Sequence, residues 1–332
     1  MRYNSAYNEI KRKITLTKKI LIIADPLEKF NIYGDSTYLL MLTAQDLQYQ
    51  ISYCSPGDIY GLNDQALANI SELELTHGVA QIYSTMDWFK VVERLEGVNL
   101  KHFDAILVRN DPPFNMEYYY LTQLLELAER AGVKVINRPG ILRNFNEKLT
   151  ILNFPELITP TLVSKNKQVI LEFIKQHGVC VAKPIDMMAG RGVFRIANDD
   201  PNQGAILENL TNYFSQTIMV QKFIPEVIYG DKRIFIINGE VVDHCLYRIP
   251  QDGQIRGNLA VGGRGEVHPL NEDGYRIANT VAQWAKEHGV VVAGIDVIGK
   301  CLTEVNLTSP TAMQQIYQQA GVNVAELILR NI

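Results

Sequence analysis

Between residues 19 and about 139, short apolar runs alternate with longer stretches whose apolar positions recur at helical spacing. The short runs 19–24, 50–55, 105–109 and 134–137 predict strands. Segments 36–47 and 116–131 predict helices. Such alternation builds a mostly parallel sheet with helices on its faces. The first and third strands end in polar residues, Asp25-Pro26 and Arg109-Asn110-Asp111-Pro112-Pro113. That edge of an open α/β sheet is where ligands bind. No G-x-G-x-x-G follows the first strand, so nothing there points to a dinucleotide.

After Glu147 the texture changes to strands rich in Val, Ile and Phe separated by Gly-containing turns, with helices predicted at about 167–177 and 271–288. Asn238-Gly239, set between Arg233-Ile234-Phe235-Ile236-Ile237 and Val241-Val242, is a hairpin signal. The second half is therefore expected to be α+β with antiparallel pairing. Pro139, Pro155 and Pro160 interrupt the pattern and place the domain boundary near 140–160.

Composition narrows the classes. The 332 residues, 47% of them hydrophobic, suffice for a multi-lobed globular protein. A net charge of −4 gives no general attraction for nucleic acid or an anionic membrane. No apolar run approaches bilayer length and no secretory signal opens the chain, so a cytoplasmic protein is expected. Cys54, Cys180, Cys245 and Cys301 form no CxxC pair and read as reduced, mostly core cysteines. Residues 1–18 read as a basic, loosely docked extension.

The sharpest constellation is Asp296, Glu304 and Asn306 on two strands that face each other across a short turn. Glu304 and Asn306 share a face. Asp296 joins them if the loop has an odd length, such as Gly299-Lys300-Cys301, which also gathers Ile295, Val297, Thr303 and Val305 on the other face. Two carboxylates and an amide oxygen there suit Mg²⁺, although the same hairpin could be a solvated sheet face. Lys183 closes an apolar run and precedes Pro184, which fits either a phosphate ligand in a cleft or a snorkelling edge lysine. The next segment, 186–194, carries Gly190 and Gly192 and could close over phosphates or be a plain hairpin loop. Between 230 and 264 lie Asp231, Lys232, Arg233, Arg248, Arg256 and Arg264, and the Gly-rich stretch 249–264 reads as a lid or as a mobile surface loop.

In chain order, Asn146-Glu147-Lys148, Ala182-Lys183-Pro184, the Gly-rich loop, Gln221-Lys222-Phe223-Ile224, Gly230-Asp231-Lys232-Arg233 and Asp296 with Glu304-Val305-Asn306 resemble the ATP-grasp ligases. The stretches RIPQDGQIRGNLAVGGRGE (248–266), TEVNLTSPT (303–311) and RNDPPF (109–114) are similar to those of bacterial glutathione synthetases. The resemblance covers about 19–315. It implies an N-terminal α/β substrate-binding domain over 19–145. An ATP-grasp domain over 146–332 would follow, with a central part to about 225 and a C-terminal part from 226 that carries the lid.

By the same resemblance, Lys148 and Lys183 hold ATP phosphates under Gly190 and Gly192, with Asp231 nearby, while Gln221, Phe223 and Ile224 line the adenine slot. Asp296, Glu304 and Asn306 hold Mg²⁺, two ions being expected and Mn²⁺ an alternative. Arg233 and Arg248 face the reacting groups, and Arg256 and Gly262 belong to the lid that encloses glycine. Asp25, Arg109, Ser309 and Thr311 fall on the γ-glutamylcysteine side. The implied reaction joins γ-glutamylcysteine and glycine at the expense of ATP, in a homotetramer. A ligase for another acid and amine, or an ATP-binding regulator without turnover, are the alternatives. Two departures stand out: Met187, Met188, Ala189 and Arg191 occupy a phosphate loop where the bacterial enzymes carry smaller residues, and the basic extension lies outside the pattern.

Overall fold

In the computed structural model, residues 17–82, 87–188, 190–254, 256–257, 259 and 262–332 are described. The basic extension falls almost wholly outside them.

The four apolar runs form β1 (Lys19–Ile23), β2 (Gln50–Cys54), β6 (Ala105–Val108) and β7 (Lys134–Ile136). β1 pairs in parallel with β2 and with β6, and β6 with β7. Helix α1 (Ser36–Asp46) begins where the Asp35 carboxylate accepts the amides of Thr37 and Tyr38 at 2.6 and 3.0 Å. Helix α2 (Met116–Arg130) is capped in the same manner by Asn115. The sheet continues beyond its parallel part as an antiparallel ribbon: β3 (Ile59–Leu62), β4 (Gln65–Leu75) and β5 (Phe89–Asn99). Exposed β5 carries Lys90, Glu93, Arg94 and Glu96 and meets β4 across two register breaks, features that blunt an edge against further pairing. Short α3 (Pro139–Asn144) ends this half.

The second half holds two antiparallel sheets. The central one is ordered β10-β9-β11-β8, from β8 (Thr161–Ser164), β9 (Val179–Pro184), β10 (Phe194–Ala197) and β11 (Ile218–Lys222). With α4 (Lys167–His177) and α5 (Gln203–Leu210) it encloses a core of its own around Ile170, Ala182, Ile196, Leu207 and Val220. The other sheet is ordered β14-β13-β12-β15-β16, from β12 (Asp231–Ile237), β13 (Glu240–Ile249), β14 (Arg264–Pro269), β15 (Val292–Ile298) and β16 (Cys301–Asn306). The β12–β13 turn is Asn238-Gly239 with φ of 51° and 79°, the left-handed pair that a two-residue hairpin favours. One face of this sheet buries Ile234, Ile236, Ile295, Val297 and Val305 against α6 (Glu272–His288).

The other face meets the N-terminal half. Phe235, Ile237, Leu246 and Val292 share a core with Ile20, Leu39 and Leu107. Helices α7 (Met313–Ala320) and α8 (Val324–Leu329) close this core by packing on α1. Buried Asn137 joins the halves: its amide donates to Val292 O and Leu307 O at 2.6 and 2.7 Å, and its oxygen accepts from Val291 N and Val292 N. All four cysteines are unpaired, and three are buried. Among the described residues, no helix is long and apolar enough to cross a membrane.

Candidate active site

The β15–β16 hairpin brings its acidic residues together by a route other than the one expected from its loop length. The turn is two residues, Gly299-Lys300, and Ile298 pairs with Cys301. A register shift then inserts Thr303 as one extra residue, so that Val297 faces Leu302 while Asp296 faces Glu304. The bulge supplies the odd count that a three-residue loop would have supplied. It also takes Thr303 out of the apolar face: this side chain lines the cleft and donates to Asp296 O at 3.1 Å.

Across the sheet, Arg233 lies opposite Asp296, and Asp231 opposite Arg248. Residues two apart on a strand share a face, so the four side chains meet. Arg233 grips Asp296 with two donors, Nε to Oδ1 at 2.6 Å and Nη2 to Oδ2 at 3.1 Å. Arg248 Nη2 bridges Asp231 and Asp296 at 2.5 and 2.8 Å. Burial raises the Asp296 carboxyl, but the two guanidiniums outweigh it and hold the group far below the usual carboxylate range. Asp231 goes the other way. Burial and the charge of Asp296 push it up to about 6 against the pull of Arg248, and its Oδ1 has no hydrogen-bond partner.

Beside this quartet, Lys148 and Lys183 converge from the central part on Glu304 Oε1, at 3.7 and 3.5 Å. Both lysines are buried. Lys148 Nζ also donates to Met187 O, and Lys183 Nζ to Thr303 O at 3.4 Å. Burial lowers the Lys183 pKa, only partly offset by Glu304. The cleft over them has a volume of about 620 Å³, within the range of ligand pockets. Val181, Phe223, Ile224, Val227 and Ile298 form its apolar end, with Gln221 also on the lining. Gly190 lies on its wall, whereas Gly192 is turned away: a Cβ there would stand 2.8 Å from Pro184 Cγ. Ala189, part of the same loop, is outside the described residues.

The opposite end is built by the N-terminal half and the 308–312 segment. Ser309 and Thr311 line it, with Ser309 Oγ donating to Asp111 at 3.1 Å. Arg109 and Asp25 stand behind this wall. Buried Arg109 donates to Thr37 Oγ1 and Pro310 O, and exposed Asp25 accepts the Asp111 amide at 2.9 Å. Of the 249–264 stretch, Arg256 lines the cleft; Gly262, at φ 92°, does not, and lies against Gln251. Residues 255, 258, 260 and 261 are outside the described set. Asp35, Asp111 and Gln315 line the wall without having been singled out from sequence. Asp111 shares the strand-end signal that drew attention to Arg109, whereas Gln315 carries no sequence signal.

As a metal site the hairpin has a sparse donor set. Asp296 Oδ1 keeps a lone pair beyond its arginine bond, Glu304 meets lysines only at ion-pair distance, and Asn306 donates its amide to Gly294 O at 2.9 Å, leaving Oδ1 for a cation. Two carboxylates and one amide oxygen fit a hard cation such as Mg²⁺.

The profile of the prokaryotic glutathione synthetase N-terminal domain matches residues 19–143, and that of the prokaryotic glutathione synthetase ATP-grasp domain matches 147–321. The glutathione synthetase of Neisseria meningitidis serogroup A is 46% identical over 309 residues, 93% of this chain and 96% of its own length. That of Nitrosomonas europaea is 43% identical over 311 residues, covering 94% and 96% of the two chains. Among solved structures, D-cycloserine synthetase DcsG superposes with a TM-score of 0.64 at 13% identity over 94% of this chain and 97% of its own. D-alanyl-alanine synthetase A from Vibrio cholerae gives 0.56 at 14% over 95% and 97%. At such identities the likeness speaks for the fold alone. With relatives this similar along almost the whole length and both domain profiles matched in order, the chain belongs to the prokaryotic glutathione synthetase family.

Proposed function

We propose that this protein is an ATP-dependent ligase that joins γ-glutamylcysteine to glycine. The observation that carries this reading is the meeting of Lys148 and Lys183 at Glu304 beside the Arg233–Asp296 pair, in one cleft with an apolar slot at one end. ATP lies with its adenine against Gln221, Phe223 and Ile224 and its phosphates on the two lysines, under the loop that carries Gly190 and Gly192. Asp296, Glu304 and Asn306 would hold Mg²⁺, two ions being expected with Mn²⁺ as a substitute. When bound, the metal would neutralise phosphate charge.

A carboxylate oxygen of the cysteinyl residue attacks the γ-phosphorus, the bond to ADP breaks, and an acyl phosphate forms. Glycine's amine then attacks the carbonyl carbon, phosphate leaves, and the amine gives up a proton. Arg233 and Arg248 stabilise charge on the transferring group and later on the tetrahedral oxygen. Ser309 and Thr311 contact the acid, while Arg109 and Asp25 support that wall from behind. Domain roles follow the 19–145 and 146–332 division, and a cytoplasmic tetramer goes with the reading.

The test is phosphate release from ATP and Mg²⁺ with γ-glutamylcysteine, with and without glycine. Release that needs both substrates and yields glutathione is expected. Release only with another acid or amine would overturn the substrates, and none with any pair would leave an ATP-binding protein.

Shortening the 249–264 loop is expected to raise ATP hydrolysis relative to peptide formation, because water then reaches the acyl phosphate. Equal loss of both activities would count against a lid. Gly294→Ala is expected to cost on the order of a hundredfold in kcat/KM by displacing reacting groups. Its Cβ would stand 2.7 Å from Pro310 Cβ and 3.2 Å from Arg233 Cδ, and steady-state kinetics reads the loss.

A further inference from the structure

Glu147 sits between two segments of the cleft that are far apart in sequence. One carboxylate oxygen, Oε1, accepts three donors: Leu307 N at 3.0 Å, Thr308 N at 3.0 Å and Thr308 Oγ1 at 2.7 Å. Its main-chain oxygen accepts Val305 N at 2.9 Å. Four bonds thus tie one residue to the end of β16 and the chain leaving it. That chain carries Asn306 just before the contact and Ser309, Pro310 and Thr311 just after it. The segment reaches other partners too: Arg109 holds Pro310 O, Arg233 Nη1 holds Thr311 O at 3.2 Å, and Ser309 holds Asp111.

Lys148, the next residue, is held independently. Asn146 Oδ1 accepts the amides of Lys148 and Leu149, each at 3.0 Å, and Lys148 Nζ rests on Met187 O. Removing the Glu147 side chain therefore leaves the lysine's own supports in place. It strips the acceptor from two amides and a hydroxyl on the acid-substrate wall, and charged acceptors make the stronger hydrogen bonds.

We propose that Glu147 is a positioning residue that sets the 306–311 wall against the acid substrate, while its neighbour Lys148 serves the nucleotide. This rests on the ligase reading above.

The experiment compares Glu147→Ala, Glu147→Gln and Thr308→Val with the wild type in steady-state glutathione formation, with melting temperatures alongside. In Glu147→Ala, kcat/KM for γ-glutamylcysteine is expected to fall about thirtyfold while KM for ATP stays within about threefold. Glutamine keeps an accepting oxygen, so Glu147→Gln is expected to recover at least about a third of wild-type kcat/KM. Thr308→Val removes one of the three donors and is expected to raise KM for the acid about threefold, but to add nothing in the Glu147→Ala background. A parallel loss for ATP and acid, a fall in active fraction with both KM values unchanged, or wild-type kinetics in Glu147→Ala would overturn the proposal. If Glu147→Ala does not fold, the Glu147→Gln and Thr308→Val pair decides by the same KM split. A wild type that makes no glutathione would sink the ligase reading, and calorimetric binding of γ-glutamylcysteine to the same variants would still test Glu147.

Discussion

Arg233→Lys is expected to lower turnover about a thousandfold, the size of effect seen when a preorganised donor facing developing charge is removed. Lysine keeps the positive charge but not the fork. It cannot reach both oxygens of Asp296, as Nε and Nη2 do at 2.6 and 3.1 Å, nor hold Thr311 O as well. Asp296 then relies on Arg248, whose guanidinium is already shared with Asp231. Losing the two-point grip on a buried carboxylate should lower the melting temperature along with turnover. ATP affinity should change little, because Lys148 and Lys183, the lysines proposed to meet the phosphates, do not contact Arg233. Single-turnover acyl-phosphate formation beside ATP binding by calorimetry separates these effects. Near-normal turnover would show that charge alone, without the fork, is enough.

Glu304→Gln is expected to produce an opposite pattern for the nucleotide. The carboxylate stands between Lys148 and Lys183, and the lysines outweigh burial to hold its pKa below the ordinary value. Neutralising it leaves both ammonium groups without a counter-charge until phosphates arrive. ATP without metal should therefore bind at least as tightly as to the wild type. Turnover should drop by about a thousandfold and the Mg²⁺ requirement should rise, since one of two carboxylates that would hold the metal is gone. Metal-free ATP binding, followed by a Mg²⁺ titration of activity, reads both. Weakened metal-free binding would mean that Glu304 organises the lysines rather than competing with phosphate for them.

The strands and helices that were legible in the sequence are those with a clean period. β1, β2, β6 and β7 are apolar because their strands are buried among neighbours, and α4 and α6 stand within a residue of where the 3.6 period put them. β4 and β5 were missed. In NISELELTHG and FKVVERLEGVN, charges interrupt every apolar run, because β4 alternates buried and solvated positions and β5 is solvated along its length. α7 and α8 were missed for the reverse reason: they are short, and their identity comes from docking on α1.

At the site, motif order picked out Lys148, Lys183, Arg233, Arg248, Asp296, Glu304 and Asn306, all of which the fold brings to one cleft. Pairing was not legible. Nothing local says that Arg233 will meet a carboxylate 63 positions away, or that Arg109 will spend its donors on Pro310 and Thr37 behind the wall. The hairpin shows the limit most clearly. Side-chain parity was inferred from loop length, and a bulge changed the count without leaving a mark in residue type.

That bulge has a further consequence. A regular ladder would spend the Thr303 carbonyl on its neighbouring strand; here it meets the Lys183 ammonium, as Met187 O meets that of Lys148. Both lysines thus rest on main-chain oxygens, which every amino acid possesses. The contact at position 187 asks only for a carbonyl oxygen, whereas Thr303 also donates its hydroxyl to Asp296 O. For the Lys148 contact, the methionine at position 187 is a spelling change at a place where only the number of letters is read.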